Sequence, residues 1–281
     1  MGILSGLKGM GLENLEGMDI FGEEEKKEEK KEAVAAAPKI EEKDFLFDKS
    51  FTCPVCDKNF IAKTMKSNRA KLLGTDRDLH ARYEGIEPLK YDVLLCTECG
   101  YAALSRYFTT VTSAQAKLIR EQISKNFHGS VSKGDIYSYE EALDRYKLAL
   151  VNAVIKKAKN SEKAYICLKT AWLLRGYREN LQEQGTADEK TVEELTKQET
   201  EYLENAYKGF AEARQTESFP MCGMDEMTID YLIAALAVHC KKYDVASRLV
   251  SSILTASGAN PRVKEKARTL KEQIVEDLKK K

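Results

Sequence analysis

The sequence predicts a mainly α protein in which a small β module precedes an antiparallel, tetratricopeptide-like helical array. Three observations predict it. Two Cys-x-x-Cys pairs, Cys53/Cys56 and Cys96/Cys99, stand in a stretch of short apolar runs broken by turn residues. After Tyr107 the apolar residues recur at helical spacing. Helix-start and helix-stop residues punctuate the remainder of the chain.

Taken in order, residues 1–22 carry six glycines, which oppose helix formation, so a disordered terminus is expected. Leu4, Leu7, Leu15 and Met18 share one helical face, which leaves a short docking peptide as the alternative. Glu23 to Glu32 alternates charge with no apolar face and reads as a solvated linker. Residues 1–40 are therefore expected to form a tail, 41–110 a four-cysteine module and 111–281 a helical domain.

Within the module, the runs Phe45–Phe47 and Val93–Leu95 suggest small β-hairpins. Thr112 with Gln115 forms a capping-box pattern ahead of Leu118, Ile119 and Ile123. Ser138 with Glu141 opens a second helix with the stripe Ala142, Leu143, Tyr146, Leu150 and Val154. A third is expected from Glu162 to Glu183, stopped by Gly185. Thr186 with Glu189 should start a long fourth helix, placing Val192, Leu195, Tyr202, Leu203, Ala206 and Phe210 on one side. Pro220 and Gly223 break it. Asp225 can cap a fifth helix running through Ile229, Leu232, Ile233, Leu236 and Cys240 to Tyr243, Asp244 a sixth, and Asn260-Pro261 a seventh.

Tyr243-x-x-Ala246-x-x-x-Val250-x-x-Ile253 and Tyr139-x-x-Ala142-x-x-x-Tyr146-x-x-Ala149 have the spacing of a tetratricopeptide second helix. Small residues there let helices approach closely, and large ones fill the groove between them. The Leu-Gly pair of the first helix is missing and the central helices are long, so a plain bundle is the alternative.

The chemical signal is concentrated in CPVC at 53–56 and CTEC at 96–99, followed by Gly100. Two cysteines three apart in a tight turn can place both sulfurs on one ion, while turn N–H groups offset the thiolate charge. A glycine after the second pair suits the positive φ that closes such a turn. Four thiolates make a closed, zinc-ribbon-like structural site for zinc, with iron as an alternative ion. The 39 residues between the pairs exceed the usual ribbon spacing, yet loop-closure entropy grows only slowly with length. A redox dithiol would need a βαβ setting, which the surrounding pattern lacks.

The insert between the pairs holds Arg69, Asp76, Arg77, Asp78, His80 and Tyr83. A surface turn laced with salt bridges is the preferred reading, and a ligand-binding or hydrolytic cluster the alternative. Cys167 and Cys240 fall on apolar stripes as core thiols, and Trp172 reads as core. Cys222, between Met221 and Met224, could be exposed and reactive. His239 cannot chelate together with Cys240, since adjacent helical residues point about 100° apart. His128 reads as a helix-end residue. No catalytic residue is assigned.

Lys+Arg and Asp+Glu are equal at 45 each, so no global field selects nucleic acid or an anionic membrane. Charged residues at 32% suit long solvated helices. No apolar run reaches membrane-span length, the N-terminus has no secretory pattern, and Gly6 stands where myristoylation needs Ser or Thr. Seven cysteines, an odd number, speak against a disulfide framework. The cytoplasm is the expected compartment.

CPVC, Arg69, Asp76-x-Asp78, Tyr83, Pro88-x-x-Tyr91 and CTECGYAA, with Ala171-Trp172-Leu173, Arg175 and Tyr231-Leu232-Ile233 further on, resemble a bacterial domain-of-unknown-function family, number twenty-two twenty-five. The resemblance covers about residues 45–256 and implies a zinc-knuckle front and a tetratricopeptide-like back, with no established activity. The sequence thus favours a non-enzymatic scaffold or adaptor that binds a protein or peptide. The alternative is a nucleic-acid-binding regulator using Lys58, Lys63, Lys66, Arg69 and Lys71. A third class, an enzyme built on Asp76, Asp78 and His80, has the weakest support.

Overall fold

A computed structural model describes residues 41–129 and 134–280, which belong to one compact unit. The expected tail and linker, 1–40, lie outside these residues. The described chain is mainly helical, with small antiparallel strand pairs at its N-terminal end and a helical array behind them.

Strands β1 (Leu46–Thr52) and β2 (Asn59–Met65) pair antiparallel, with Phe51 opposite Phe60 and Thr52 opposite Asn59. The insert folds as a second hairpin, β3 (Leu72–Thr75) and β4 (Ala81–Tyr83), with its register shifted between Leu72 and Gly74. A 3-10 turn, Pro88–Tyr91, then leads into a third hairpin of β5 (Val93–Leu95) and β6 (Ala102–Leu104). Each hairpin is its own two-stranded sheet, so none could be stable without packing on something else.

Seven α-helices follow among the described residues: α1 (Ser113–Ile119), continued by a π turn at Arg120–Ser124, α2 (Tyr139–Ile155), α3 (Asn160–Glu183), α4 (Glu189–Thr216), α5 (Glu226–His239), α6 (Tyr243–Thr255) and α7 (Pro261–Lys279). From α2 onward each packs on the next, as short connections between antiparallel neighbours require. Helix α5 is apolar on every side and buried along most of its length, so it lies at the centre of the array. None of these helices is long and apolar enough to cross a membrane.

Local signals placed many of the ends. Thr112 and Gln115 form the reciprocal capping box, and Ser138, Asp225 and Asn260 each accept a backbone N–H at their helix starts. Three expectations need correction. The cap of α4 is Asp188, which accepts from Thr191 N–H at 2.9 Å, rather than Thr186. Tyr243 does not extend α5, because Lys241 takes a left-handed φ of 58° and turns the chain there. Asp244 therefore lies inside the first turn of α6, whose N-cap, Lys242, makes no side-chain cap.

The stripe of α2 also differs. Ala142, Leu143 and Tyr146 are buried as expected, but Leu150 is only half-buried and Val154 is 58% exposed, and the buried face continues through Ala149 and Ala153. This helix packs against β5, β6 and α3 together, and small residues let three neighbours approach one face.

Two cores result. The large one joins α2 to α7 with β5 and β6. A smaller one gathers the cysteine pairs, Phe60, Tyr101, Phe108 and the α1 residues Ala116 and Ile119.

Candidate metal centre

Each Cys-x-x-Cys pair occupies the tip of a hairpin, the first between β1 and β2 and the second between β5 and β6. Both tips close by the same hydrogen bonds. Cys53 N–H donates to Lys58 O and Asp57 N–H to Cys53 O, both at 2.9 Å. Cys96 N–H donates to Tyr101 O at 2.9 Å and Gly100 N–H to Cys96 O at 3.0 Å. The residue after the second cysteine is left-handed in each, Asp57 at φ 61° and Gly100 at φ 74°. Aspartate tolerates that region better than most residues with a side chain. In the first knuckle Val55 N–H points at Cys53 Sγ, 3.4 Å away.

The two tips face one another. Cys53 Sγ lies 3.6 Å from Cys99 Sγ, Cys56 Sγ lies 3.7 Å from Cys96 Sγ, and all four sulfurs fall within 4.8 Å of each other. A tetrahedral ion with metal–sulfur bonds of about 2.3 Å would space its sulfurs by about 3.8 Å. The donor set therefore fits one metal ion. Cys53, Cys96 and Cys99 are buried and Cys56 is partly exposed.

Four thiols this close cannot all ionise without a cation among them. Hydrogen bonding with Cys53 holds Cys96 well below its ordinary range, and the same contacts push Cys53 and Cys99 up. Charge on Cys53 and Cys99 is thus suppressed, a frustration that a divalent ion relieves.

The helices hold both tips in place. Arg120 Nη1 donates to Val55 O at 2.6 Å, and Asn152 Nδ2, fully buried on α2, donates to Gly100 O at 3.0 Å. A Cβ on Gly100 would lie 2.6 Å from Phe127 Cγ, so glycine is required there by contact as well as by φ. Sequence reading missed these tethers. Asn152, polar on a buried face, was the one signal available.

The insert is not a surface turn. Asp78 and His80 are each 1% exposed. Arg175 of α3 donates to Asp78 Oδ2 (2.7 Å), Asp78 Oδ1 (3.2 Å), Asp76 Oδ2 (3.1 Å) and Glu199 Oε1 of α4 (2.7 Å). Arg82 ties Asp76 to Glu179, and Arg178 takes the other oxygen of Glu199. The His80 ring stacks on Trp172 with centroids 5.2 Å apart, and Tyr231 of α5 donates to Arg77 O at 2.7 Å. Burial raises Asp78, but the Arg175 guanidinium more than offsets it and holds the carboxyl below its usual range. Arg69 stays exposed in the turn before β3, and Tyr83 is half-buried on β4. The cluster thus pins the β3–β4 hairpin to α3, α4 and α5.

Cys167 is buried in the large core, as its stripe predicts, and Cys240 packs partly buried against it. Cys222 is not exposed: its thiol is buried and donates to Ser161 O at 3.3 Å.

A family model described as an uncharacterized protein conserved in bacteria (DUF2225) matches residues 46–274. No curated protein and no solved structure matches the chain.

Proposed function

The chain belongs to this bacterial family, and on that premise we propose that it is a zinc-stabilised, non-enzymatic scaffold or adaptor whose helical array binds a protein or peptide. In this reading residues 41–110 are the metal module and 111–281 the array. The observation that carries it is the closed set of four thiolates tied to α1 and α2 through Val55 O and Gly100 O. Four protein ligands leave no coordination position for water or substrate, which is the arrangement of structural rather than catalytic zinc. Zinc binding to such a set is worth about 10–16 kcal/mol at neutral pH, comparable with or above the whole stability of a typical domain. The ion therefore rigidifies the module and, through the tethers, the first helices.

The tetratricopeptide-like part of the reading rests on packing. Ala142, Tyr146 and Ala149 of α2, and Ala246, Val250 and Ile253 of α6, are the fully buried positions that the repeat spacing calls for. Nucleic-acid binding is less well supported. Lys58, Lys63 and Lys71 pair with Glu98, Asp48 and Glu84, which lowers the charge that a phosphate backbone would meet.

The test is affinity capture from cells with the full chain and its Cys96→Ser form. A partner enriched by the first and lost by the second is expected. No partner above background, together with metal-dependent turnover in a substrate screen, would overturn the proposal.

A further inference from the structure

A cleft of about 720 Å³ opens between the β4 end of the insert, the Pro88–Tyr91 turn and the helices α2 and α3. That size suits a small ligand or one extended side chain. Its chemistry is uneven. Glu42, Glu87, Glu140, Glu179 and Glu183 line it against two cations, Arg82 and Lys90, so three negative charges are in excess. Lys90 is committed to Glu42 at 2.8 and 2.9 Å, and Arg82 to Glu179 at 2.7 Å. The excess therefore resides on Glu87, Glu140 and Glu183. Glu87 Oε2 has His80 Nε2 at 3.4 Å, and Glu140 accepts the Tyr177 hydroxyl.

The walls are aromatic as well as acidic. Tyr139 and Tyr177 stack with centroids 5.1 Å apart and planes 12° from parallel. The ammonium of Lys90 already lies 5.1 Å from the centroid of Tyr139, so a tyrosine face of this cleft accepts a cation in the folded protein itself. Burial first, and then the fields of Glu87, Glu42, Glu179 and Glu183, raise the Tyr139 hydroxyl above its ordinary range.

The floor is Gly176, in the middle of α3, where glycine costs about 1 kcal/mol relative to alanine. A Cβ there would sit 3.3 Å from Glu87 Oε2 and 3.5 Å from Tyr139. Glycine keeps the cleft open at a cost to the helix.

We propose that this cleft binds an organic cation, an alkylammonium or guanidinium group seated among the tyrosine faces and the uncompensated glutamates. The group can come from a free polyamine or from a lysine or arginine side chain of a peptide. This assignment goes beyond the scaffold reading and stands whether or not the array captures a protein.

The test is calorimetric titration of the zinc-loaded full chain with spermidine and, separately, with a short lysine- and arginine-bearing peptide. A glutamate-bearing peptide of equal length is the control. Binding of at least one cationic probe is expected, weakened by added salt and weakened roughly tenfold or more in Glu140→Gln/Glu183→Gln. Those two positions are exposed, so the variant should fold, and circular dichroism checks that it does. Gly176→Leu should abolish binding by filling the floor. Spermidine alone identifies a free polyamine, the peptide alone a partner's side chain, and both the shared cation chemistry. No binding by either probe, or binding unchanged in the double glutamine variant, overturns the proposal. Neither outcome bears on the affinity capture that tests the scaffold.

Discussion

Replacing Arg175 with methionine removes the hub that joins the insert to the helices, and the structure allows its cost to be worked out partner by partner. Asp76 keeps Arg82 at 2.7 Å, and Glu199 keeps Arg178 at 2.6 Å. Asp78, 1% exposed, loses both of its guanidinium contacts. Stranding one partner of a buried ion pair costs about 3–5 kcal/mol, a large share of the 5–15 kcal/mol that holds a typical domain. Urea unfolding at neutral pH with zinc held constant measures that loss. Asp78→Asn in the same background removes the stranded charge and should restore about 1–3 kcal/mol, the coupling expected for direct neighbours. The pH dependence provides an independent check. In the wild type the folded pKa of Asp78 is depressed, so its contribution is complete above the unfolded value of about 3.9 and is lost as pH falls through the folded value. Without Arg175, burial, the largest influence on Asp78, is opposed only by the weaker effects of His239 and Trp172, so that pKa rises and the variant's deficit should shrink between neutral and mildly acidic pH. A cost below about 1 kcal/mol, or a deficit that neither acid nor Asp78→Asn reduces, would refute the reasoning that the network is an anchor.

Chelating the metal from the wild-type chain should lower its melting temperature steeply and loosen Tyr101 and Phe108, which pack beside the thiols; near-ultraviolet dichroism reports this. Gly100→Ala should cost about 1–2 kcal/mol for its left-handed backbone, plus displacement of Phe127, and should weaken zinc in a competition titration. Asn152→Ala strands Gly100 O in the interior and should destabilise by about 1–3 kcal/mol in urea, with the second knuckle exchanging amide hydrogens faster than the first.

What the sequence made legible was local. The capping box of Thr112 and Gln115, the Asp225 cap and Asn260-Pro261 each depend on residues within one turn, and all stand where expected. The cysteine pairs were legible because a hairpin tip fixes its own geometry, although their mutual approach across 39 residues, 57–95, had to be inferred from chemistry. The ion-pair network was hidden because Arg175 meets Asp78 and Asp76 at separations of 97 and 99 residues. No pattern of spacing reaches that far, and charged residues in a short insert read first as solvated. Glu199 was hidden for the same reason, being a carboxylate that only two arginines from α3 make tolerable inside the protein. The face of α2 is legible at Ala142, Leu143 and Tyr146 but not at its end, where the apolar Leu150 and Val154 outweigh the small residues Ala149 and Ala153 in the pattern and only the neighbours decide that contest.

The most direct measurement is zinc-edge X-ray absorption, with elemental analysis, on the full chain purified without added metal. The account predicts about one zinc per chain, bound by sulfur alone at about 2.3 Å. A folded protein with no metal and four freely titrating thiols, or an ion held by nitrogen and oxygen, would contradict it.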